Sequence, residues 1–147
     1  MARQGREDWG LLVLRLGYVS LLLWFHGWAR FLRAFHYALQ GEVWTFVTVV
    51  ERLGFPVPGV FAVLSALSES AGAVLLGLGI VPRLASAIIA CNMAVAVYSE
   101  AGKGDPWELP ALYLLVAVVL TIAGPGAMTL GGGGFSLWKR KQRWTGD

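Results

Sequence analysis

Residues 58–80 read PGVFAVLSALSESAGAVLLGLGI, with Glu69 as their one charged side chain. An α-helix needs about 20 predominantly apolar residues to cross the hydrocarbon core of a bilayer, and this stretch supplies them. Three further stretches share its character. One runs from Trp9 to Phe31 and is interrupted by Arg15, His26 and Arg30. Another runs from about Arg83 to Tyr98 with no acid or base after Arg83. The shortest runs from Glu108 to Ala123. Pro82 and the Gly124-Pro125-Gly126 turn mark helix ends, because proline has no amide donor and glycine accepts turn geometry. The expectation is an all-α integral membrane four-helix bundle with helices over 9–31, 58–80, 83–98 and 108–123.

The whole chain agrees with that reading. Its 147 residues are 56% hydrophobic and 14% charged, and the mean hydropathy is +0.62. A soluble domain would be about 45–50% apolar and about 25% charged, so a soluble globular enzyme is excluded. Seven Trp, seven Phe and four Tyr exclude a disordered chain. Cys91 is the single cysteine, which excludes an internal disulfide, a CxxC redox pair and a multi-cysteine zinc site. The net charge is +3, but the basic residues lie beside apolar segments and form no basic domain. The expected partner is therefore the lipid bilayer, and nucleic acid is not expected.

Four crossings put both termini on one side, and the Lys and Arg distribution chooses that side. With the termini go Arg3, Arg6, Arg83, Lys139, Arg140, Lys141 and Arg143. Opposite lie Arg30, Arg33, Arg52 and Lys103, a bias of seven against four that places both termini in the cytoplasm. Basic residues before an apolar run resemble a signal peptide, but no small-residue cleavage site follows and Arg15 interrupts the run. The expectation is an uncleaved first helix in a multi-pass cell-membrane protein. Between helices one and two, from about Leu32 to Val57, Val43, Phe46, Val47, Val50 and Leu53 recur at helical spacing until Gly54 and Pro56 stop the pattern. This suits an interfacial helix at the outer surface or a packed cap over the bundle. Residues 1–130 are expected to form the membrane domain. Residues 131–147 are expected to form a Gly-rich hinge and a tail in which Trp138, Lys139, Arg140, Lys141, Arg143 and Trp144 meet anionic headgroups.

Ionisable groups inside membrane helices face a partner or a cavity. Counting from the expected helix ends, Arg15 lies about 9 Å deep and Glu69 about 17 Å deep at 1.5 Å per residue. An extended arginine spans that difference, so an Arg15–Glu69 pair is expected, either as a clasp fixing helix register or as a proton-linked group beside a substrate headgroup. Ser65 and Gly72 share the Glu69 face and let another helix approach closely. Arg15, Leu22, His26 and Arg30 form one stripe along helix one. On this reading His26 sits at the depth of Tyr98 and Glu108, where a histidine can exchange protons near neutral pH. Asn92 is expected to bond a neighbouring helix, Met93 to fill core, and Cys91 to be a buried thiol. The two histidines, His26 and His36, make a poor bis-histidine haem pair, and no metal site is expected. Iron–sulfur, copper and flavin sites lack their ligands or glycine motifs.

Several residues in order carry a family resemblance. Arg15-Leu16-Gly17 and Phe25-His26-Gly27-Trp28-Ala29-Arg30 resemble the R-x-G … H-G-x-x-K opening of the DoxX family of four-helix membrane proteins. Glu69, Gly72, Leu75-Leu76-Gly77-Leu78-Gly79, Arg83-Leu84-Ala85-Ser86, Met93, Glu108, Tyr113 and Gly124-Pro125-Gly126 continue the likeness over about residues 11–130. Arg30 stands where the family usually has lysine. Thr129-Leu130-Gly131-Gly132 stands where the family often continues into Ser-Leu-Asp. The resemblance implies a polytopic subunit of a redox or respiratory complex, in one branch the membrane subunit of a thiosulfate–quinone oxidoreductase. Quinone is then the expected small-molecule partner, with one or more redox proteins beside it. Glu69 and His26 would handle protons, Arg15 and Arg30 would steady headgroup charge, and Trp24, Trp28, Tyr113 and Glu108 would complete the quinone site. Arg83, Gly72 and Ser65 would hold structure. The alternative of a different class is a non-catalytic structural or assembly subunit anchoring a larger complex.

Overall fold

A computed structural model describes residues 2–124 together with 126 and 129, with side chains from Asp8 onward. The expected hinge and basic tail, 131–147, lie outside the described residues. Every regular element among those described is helical: α1 (Ala2–Leu22), a five-residue π-helical turn (Leu23–Gly27), α2 (Trp28–Gln40), α3 (Thr45–Arg52), α4 (Pro58–Leu78), α5 (Pro82–Lys103) and α6 (Glu108–Ala123). Asp8–Gln40, Pro58–Leu78 and Pro82–Lys103 are each long and apolar enough to cross a membrane, and α6 is a shorter apolar helix. Large side chains face outward along them, Trp24 at 83% exposure and Ile122 at 75%. In water such a surface would aggregate; in lipid it is solvated.

Local chemistry explains where the helices stop. Pro58 and Pro82 occupy first-turn positions, where the missing amide hydrogen costs nothing. Gly79 ends α4 in the left-handed region at φ 72°, and the Ile80 amide donates back to the Leu75 carbonyl at 2.9 Å. Gly104 ends α5 the same way, with the Asp105 amide donating to Glu100 at 3.1 Å. Helix α5 thus runs five residues past its expected end at Tyr98. Apolarity fades there, but no proline stands before Gly104, and Lys103 pairs with Glu100 at 3.1 Å one turn back. The first helix also outruns its expected end at Phe31 and continues through α2 to Gln40, where Gly41 at φ 70° stops it. The connection is correspondingly shorter, and α3 occupies the middle of the segment expected to be helical.

Glycines fix how the first helix lies along α4. A Cβ on Gly27 would fall 2.6 Å from the Glu69 carbonyl oxygen, and one on Gly77 would fall 3.2 Å from Val19 Cγ1. A Cβ on Gly59 would collide with the Tyr37 hydroxyl. Each of these three pairs of numbers adds to 96, so the two helices run antiparallel in one constant register from Val19 to Tyr37. The α4–α5 register follows from Asn92 on Glu69 and Ile89 on Gly72, both adding to 161. Thr121 bonded to Ser86 at 2.9 Å sets α5 against α6.

The π turn changes which residues face the bundle. The Trp28 amide donates to the Leu23 carbonyl, five residues back, instead of four. On α1 the buried positions are Arg15, Tyr18, Val19 and Leu22; the next fully buried position is Gly27, five residues on, and then Ala34. The expected continuous stripe through Arg15, Leu22, His26 and Arg30 is therefore broken at the π turn. The main core gathers Leu22, Leu76, Ile89, Met93, Ala117 and Leu120. A second core under α3 gathers Ala34, Trp44, Val50, Ala62 and Ala66.

Candidate functional site

Glu69 sits in the middle of α4 and is 1% exposed. Its Oε1 accepts from Arg30 Nη1 at 2.5 Å and from Asn92 Nδ2 at 2.8 Å. Its Oε2 is equally buried and has no hydrogen-bond partner. A carboxylate held on one oxygen by two helices and bare on the other is a prepared acceptor. The close approach at Gly27 brings α2 near enough for Arg30 to reach it. The Arg30 guanidinium also lies over the Phe46 ring of α3, 4.8 Å from its centroid. Helix α3 thereby takes part in the site through a cation–π contact.

Above this group opens a cavity of about 420 Å³ between α3, α4 and α5. Arg30 and Asn92 form its polar floor, Phe46, Phe61, Leu64 and Val95 are among its apolar walls, and Glu100 and Lys103 stand at its outer end. Ser99 lines it too; that residue is 7% exposed, and its Oγ has no hydrogen-bond partner. Ser65 and Ser68 also line it, but the Ser68 hydroxyl is committed to the Ser65 carbonyl at 2.7 Å. A mostly apolar cavity with a few convergent polar groups is the usual form of a small-molecule site.

A second polar group gathers around Tyr113. The His26 ring meets Tyr113 edge-on at 5.6 Å between centroids, and its buried Nδ1 lacks a partner. Tyr18 packs against the same Tyr113 ring and donates to the Tyr113 carbonyl at 3.1 Å.

Several expected positions require correction. Glu69 takes its ion pair from Arg30, not Arg15. The depth count assumed that the first helix enters the membrane at Trp9. In the observed register, Arg15 is level with Val81, the turn beyond α4, and lies about 18 Å along the axis from Glu69. The same offset moves His26 deeper, to Tyr113; Tyr98 and Glu108 are exposed and take no part. Trp24 and Trp28 are 83% and 65% exposed and face outward, so they do not join Tyr113, which is buried in the main core, in a slot. Cys91 is exposed on the cavity wall, not buried. Asn92 bonds a neighbouring helix as expected, and Met93 is core. Gly72 lets α5 approach, with Ile89 Cγ1 3.5 Å from where a Cβ would sit. The exposed Arg83 lays its guanidinium against Gly124, whose Cβ would stand 3.1 Å from Nε. Among the described residues, no three His, Cys, Asp or Glu side chains gather closely enough to hold a metal ion.

The sequence reading passed over Ser99 and Phe46 as site residues and did not connect Asn92 to Glu69. The signal for Asn92 was present, since it is the one amide in a segment of apolar and small side chains, but its partner depends on the α4–α5 register.

The DoxX family model matches residues 10–102, which hold Arg15, His26, Arg30, Glu69 and Asn92. The chain belongs to the DoxX family. It is a membrane protein of that family, with three helices long and apolar enough to cross a bilayer. No curated protein and no solved structure matches it. In this DoxX protein the matched span ends at Gly102, so it contains the Glu69 group and the cavity wall through Ser99 and leaves out α6 with Tyr113.

Proposed function

We propose that this DoxX-family protein is a small multi-pass subunit of a redox complex in the cell membrane and binds a quinone in the cavity floored by Arg30 and Asn92, the two partners of Glu69. One observation carries the reading. The bare, buried Oε2 of Glu69 belongs to a carboxylate whose two anchors, Arg30 and Asn92, form the floor of an apolar cavity of about 420 Å³. That combination suits an apolar ring with hydrogen-bonding oxygens better than a charged solute. Reduction of a quinone to its quinol takes up two protons with two electrons, and the electrons come from a partner oxidoreductase. Glu69 holds a proton within the membrane through Oε2. Arg30 stands ready to offset negative charge at the floor, and Asn92 orients the carboxylate. His26, set against Tyr113, is a second proton-handling group.

In the same proposal the apolar helices make four crossings, with α6 as the fourth, and both termini lie in the cytoplasm.

A second reading also has its own observation. Arg30, Glu69 and Asn92 come from α2, α4 and α5, so the hydrogen bonds tie three helices together as a clasp. On that reading the chain anchors a larger complex and catalyses nothing. Glu69→Gln separates the two. Quinone-linked electron transfer of the native complex should fall at least tenfold with assembly intact if the carboxylate carries protons. Loss of assembly with activity retained per assembled complex would make it a clasp.

A further inference from the structure

The charge of the cavity carries an inference that does not rest on quinone. Two of the side chains lining it are positive, Arg30 and Lys103, and one is negative, Glu100. Lys103 and Glu100 pair with each other at 3.1 Å, which leaves Arg30 as the excess. The counter-charge of Arg30 is Glu69, which is 1% exposed and does not line the cavity. An occupant therefore meets the cation and not the carboxylate behind it.

The ion pair is also half used on each side. Arginine and carboxylate frequently pair through two parallel hydrogen bonds, whereas Arg30 reaches Glu69 through Nη1 and Oε1 alone. Glu69 Oε2 is enclosed and without a partner. Among the described residues Arg30 Nε and Nη2 have no acceptor either, but unlike Oε2 they are not enclosed. The Arg30 side chain is 32% exposed, and its guanidinium lies on Phe46, another residue of the cavity wall. The open half of the arginine is thus available to an acceptor in the cavity. The open half of the carboxylate is closed to a ligand but can take a proton.

An apolar cavity rejects a free charged solute, but a chain that carries its charge at one end is a different case. Phe46, Phe61, Leu64 and Val95 offer apolar walls to the chain, while Arg30 meets the head. A volume of about 420 Å³ is near the lower end of sites for drug-sized ligands, which suits one chain and not two. Charge balance then involves Glu69. Its charge and that of Arg30 cancel, so an added anion leaves one net negative charge within the membrane, a costly state. Like charges sharing a site are relieved when one of them takes a proton. A proton on Oε2 restores neutrality and leaves Oε1 to accept from both Arg30 and Asn92. The other titratable groups packed around Glu69 are Tyr18 of α1, His26 of the π turn and Tyr113 of α6; Glu51 and Arg52 of α3 are exposed. Tyrosine keeps its phenol proton near neutral pH, which leaves His26 as the rival proton acceptor.

We infer that the cavity binds a single-chained anionic amphiphile with its head at Arg30, and that each anion enters with one proton, held on Glu69 Oε2.

Calorimetric titration of the purified full-length protein in zwitterionic lipid nanodiscs, with empty nanodiscs as the blank, tests this. Decyl sulfonate is the probe, because its head keeps its charge throughout the pH range used. At about pH 6 it should bind about tenfold more tightly than decanol or decyltrimethylammonium. Its affinity should fall as the pH rises toward about 8, by up to about tenfold per pH unit, the linkage of one proton. Heats measured in two buffers of different ionisation enthalpy should show about one proton taken up per sulfonate at about pH 8. Glu69→Gln has no charge to neutralise, so at that pH it should bind the sulfonate more tightly than the wild type, without pH dependence or proton uptake. Adding Arg30→Gln to it should weaken binding about tenfold. Decanol binding as tightly as the sulfonate overturns the anion site. Sulfonate binding to the wild type without proton uptake overturns the coupling, and uptake that persists in Glu69→Gln overturns its assignment to Glu69. Dihexanoyl phosphatidylglycerol, an anion with two chains, should bind more weakly than the sulfonate; equal or tighter binding makes an anionic phospholipid the occupant and overturns the single chain.

Discussion

A single carboxylate in the middle of an apolar helix must be compensated, and two residues do it here. Arg30 supplies the charge and Asn92 a second donor, both on Oε1, at 2.5 and 2.8 Å. Removing one member of a buried ion pair typically costs 3–5 kcal/mol, because the other is left uncompensated. The Arg30 side chain is 32% exposed, so screening reduces that figure. Arg30→Gln should destabilise the protein by about 2 kcal/mol in thermal unfolding, and adding Glu69→Gln should recover most of it. Arg15→Gln should show no coupling to Glu69→Gln in the same cycle, being about 18 Å away along the axis. Asn92→Leu should leave the ion pair but loosen its orientation, reducing quinone-linked activity more than stability. How much of this was legible differs from residue to residue. Glu69 stood out because charge is rare in such a stretch, and Arg30 because it stands at the end of the apolar run from Trp9 to Phe31. Their pairing was not legible, because it depends on an offset between helices that neither helix encodes alone.

That offset belongs to the elements. The apolar run beginning at Trp9 tells where hydrophobic residues start, but the packing of α1 and α2 on α4 pairs residues 19–37 with 59–77. The first helix therefore crosses about six residues later than its apolar edge suggests, and the residues before Arg15 extend past the α4–α5 turn. Gly126 lies there beside them, with Leu11 Cβ 3.5 Å from where its Cβ would be. Small residues at the contacts carry this register, which is how helices associate where lipid tails are as apolar as the side chains. Gly27→Ala should be severe, since the added carbon would meet a backbone carbonyl at 2.6 Å and neither helix can yield without breaking its ladder. A loss of about 2–3 kcal/mol is expected from such overpacking, read by thermal unfolding in detergent. The register itself is open to cross-linking. In a Cys91→Ala background, Leu23→Cys with Ala73→Cys adds to 96 and should oxidise to a disulfide. Leu16→Cys with Ala73→Cys, displaced by about 10 Å, should not. The π turn was beyond sequence reading, because a one-residue shift in phase leaves no mark in composition. Helix existence was legible in every case, and the α3 segment was found from the spacing of Phe46, Val47 and Val50 alone.

For the molecule as a whole, the register also bears on orientation in the membrane. Helix α6 has 16 residues, about 24 Å at 1.5 Å per residue, less than the roughly 30 Å of a bilayer core. Yet it accompanies α5 closely. With Thr121 set on Ser86 and the helices antiparallel, Glu108 falls near the level of Ser99 and Ala123 near Leu84. It therefore runs alongside the apolar body of α5, which supports the proposed fourth crossing and the return of the chain to its starting side. The charge count then improves. Arg30 was the awkward member of the outer set, and it lies within the bundle bonded to Glu69. Taking it out of the loops changes the Lys and Arg balance from seven against four to seven against three. A fluorescent protein that folds only in the cytoplasm should therefore light up when fused at either terminus. Alkaline phosphatase, active only across the membrane, should work when inserted after Gly104, at the end of α5, and fail at both ends. Phosphatase activity at the C-terminus with cytoplasmic fluorescence at the N-terminus would mean that α6 does not cross.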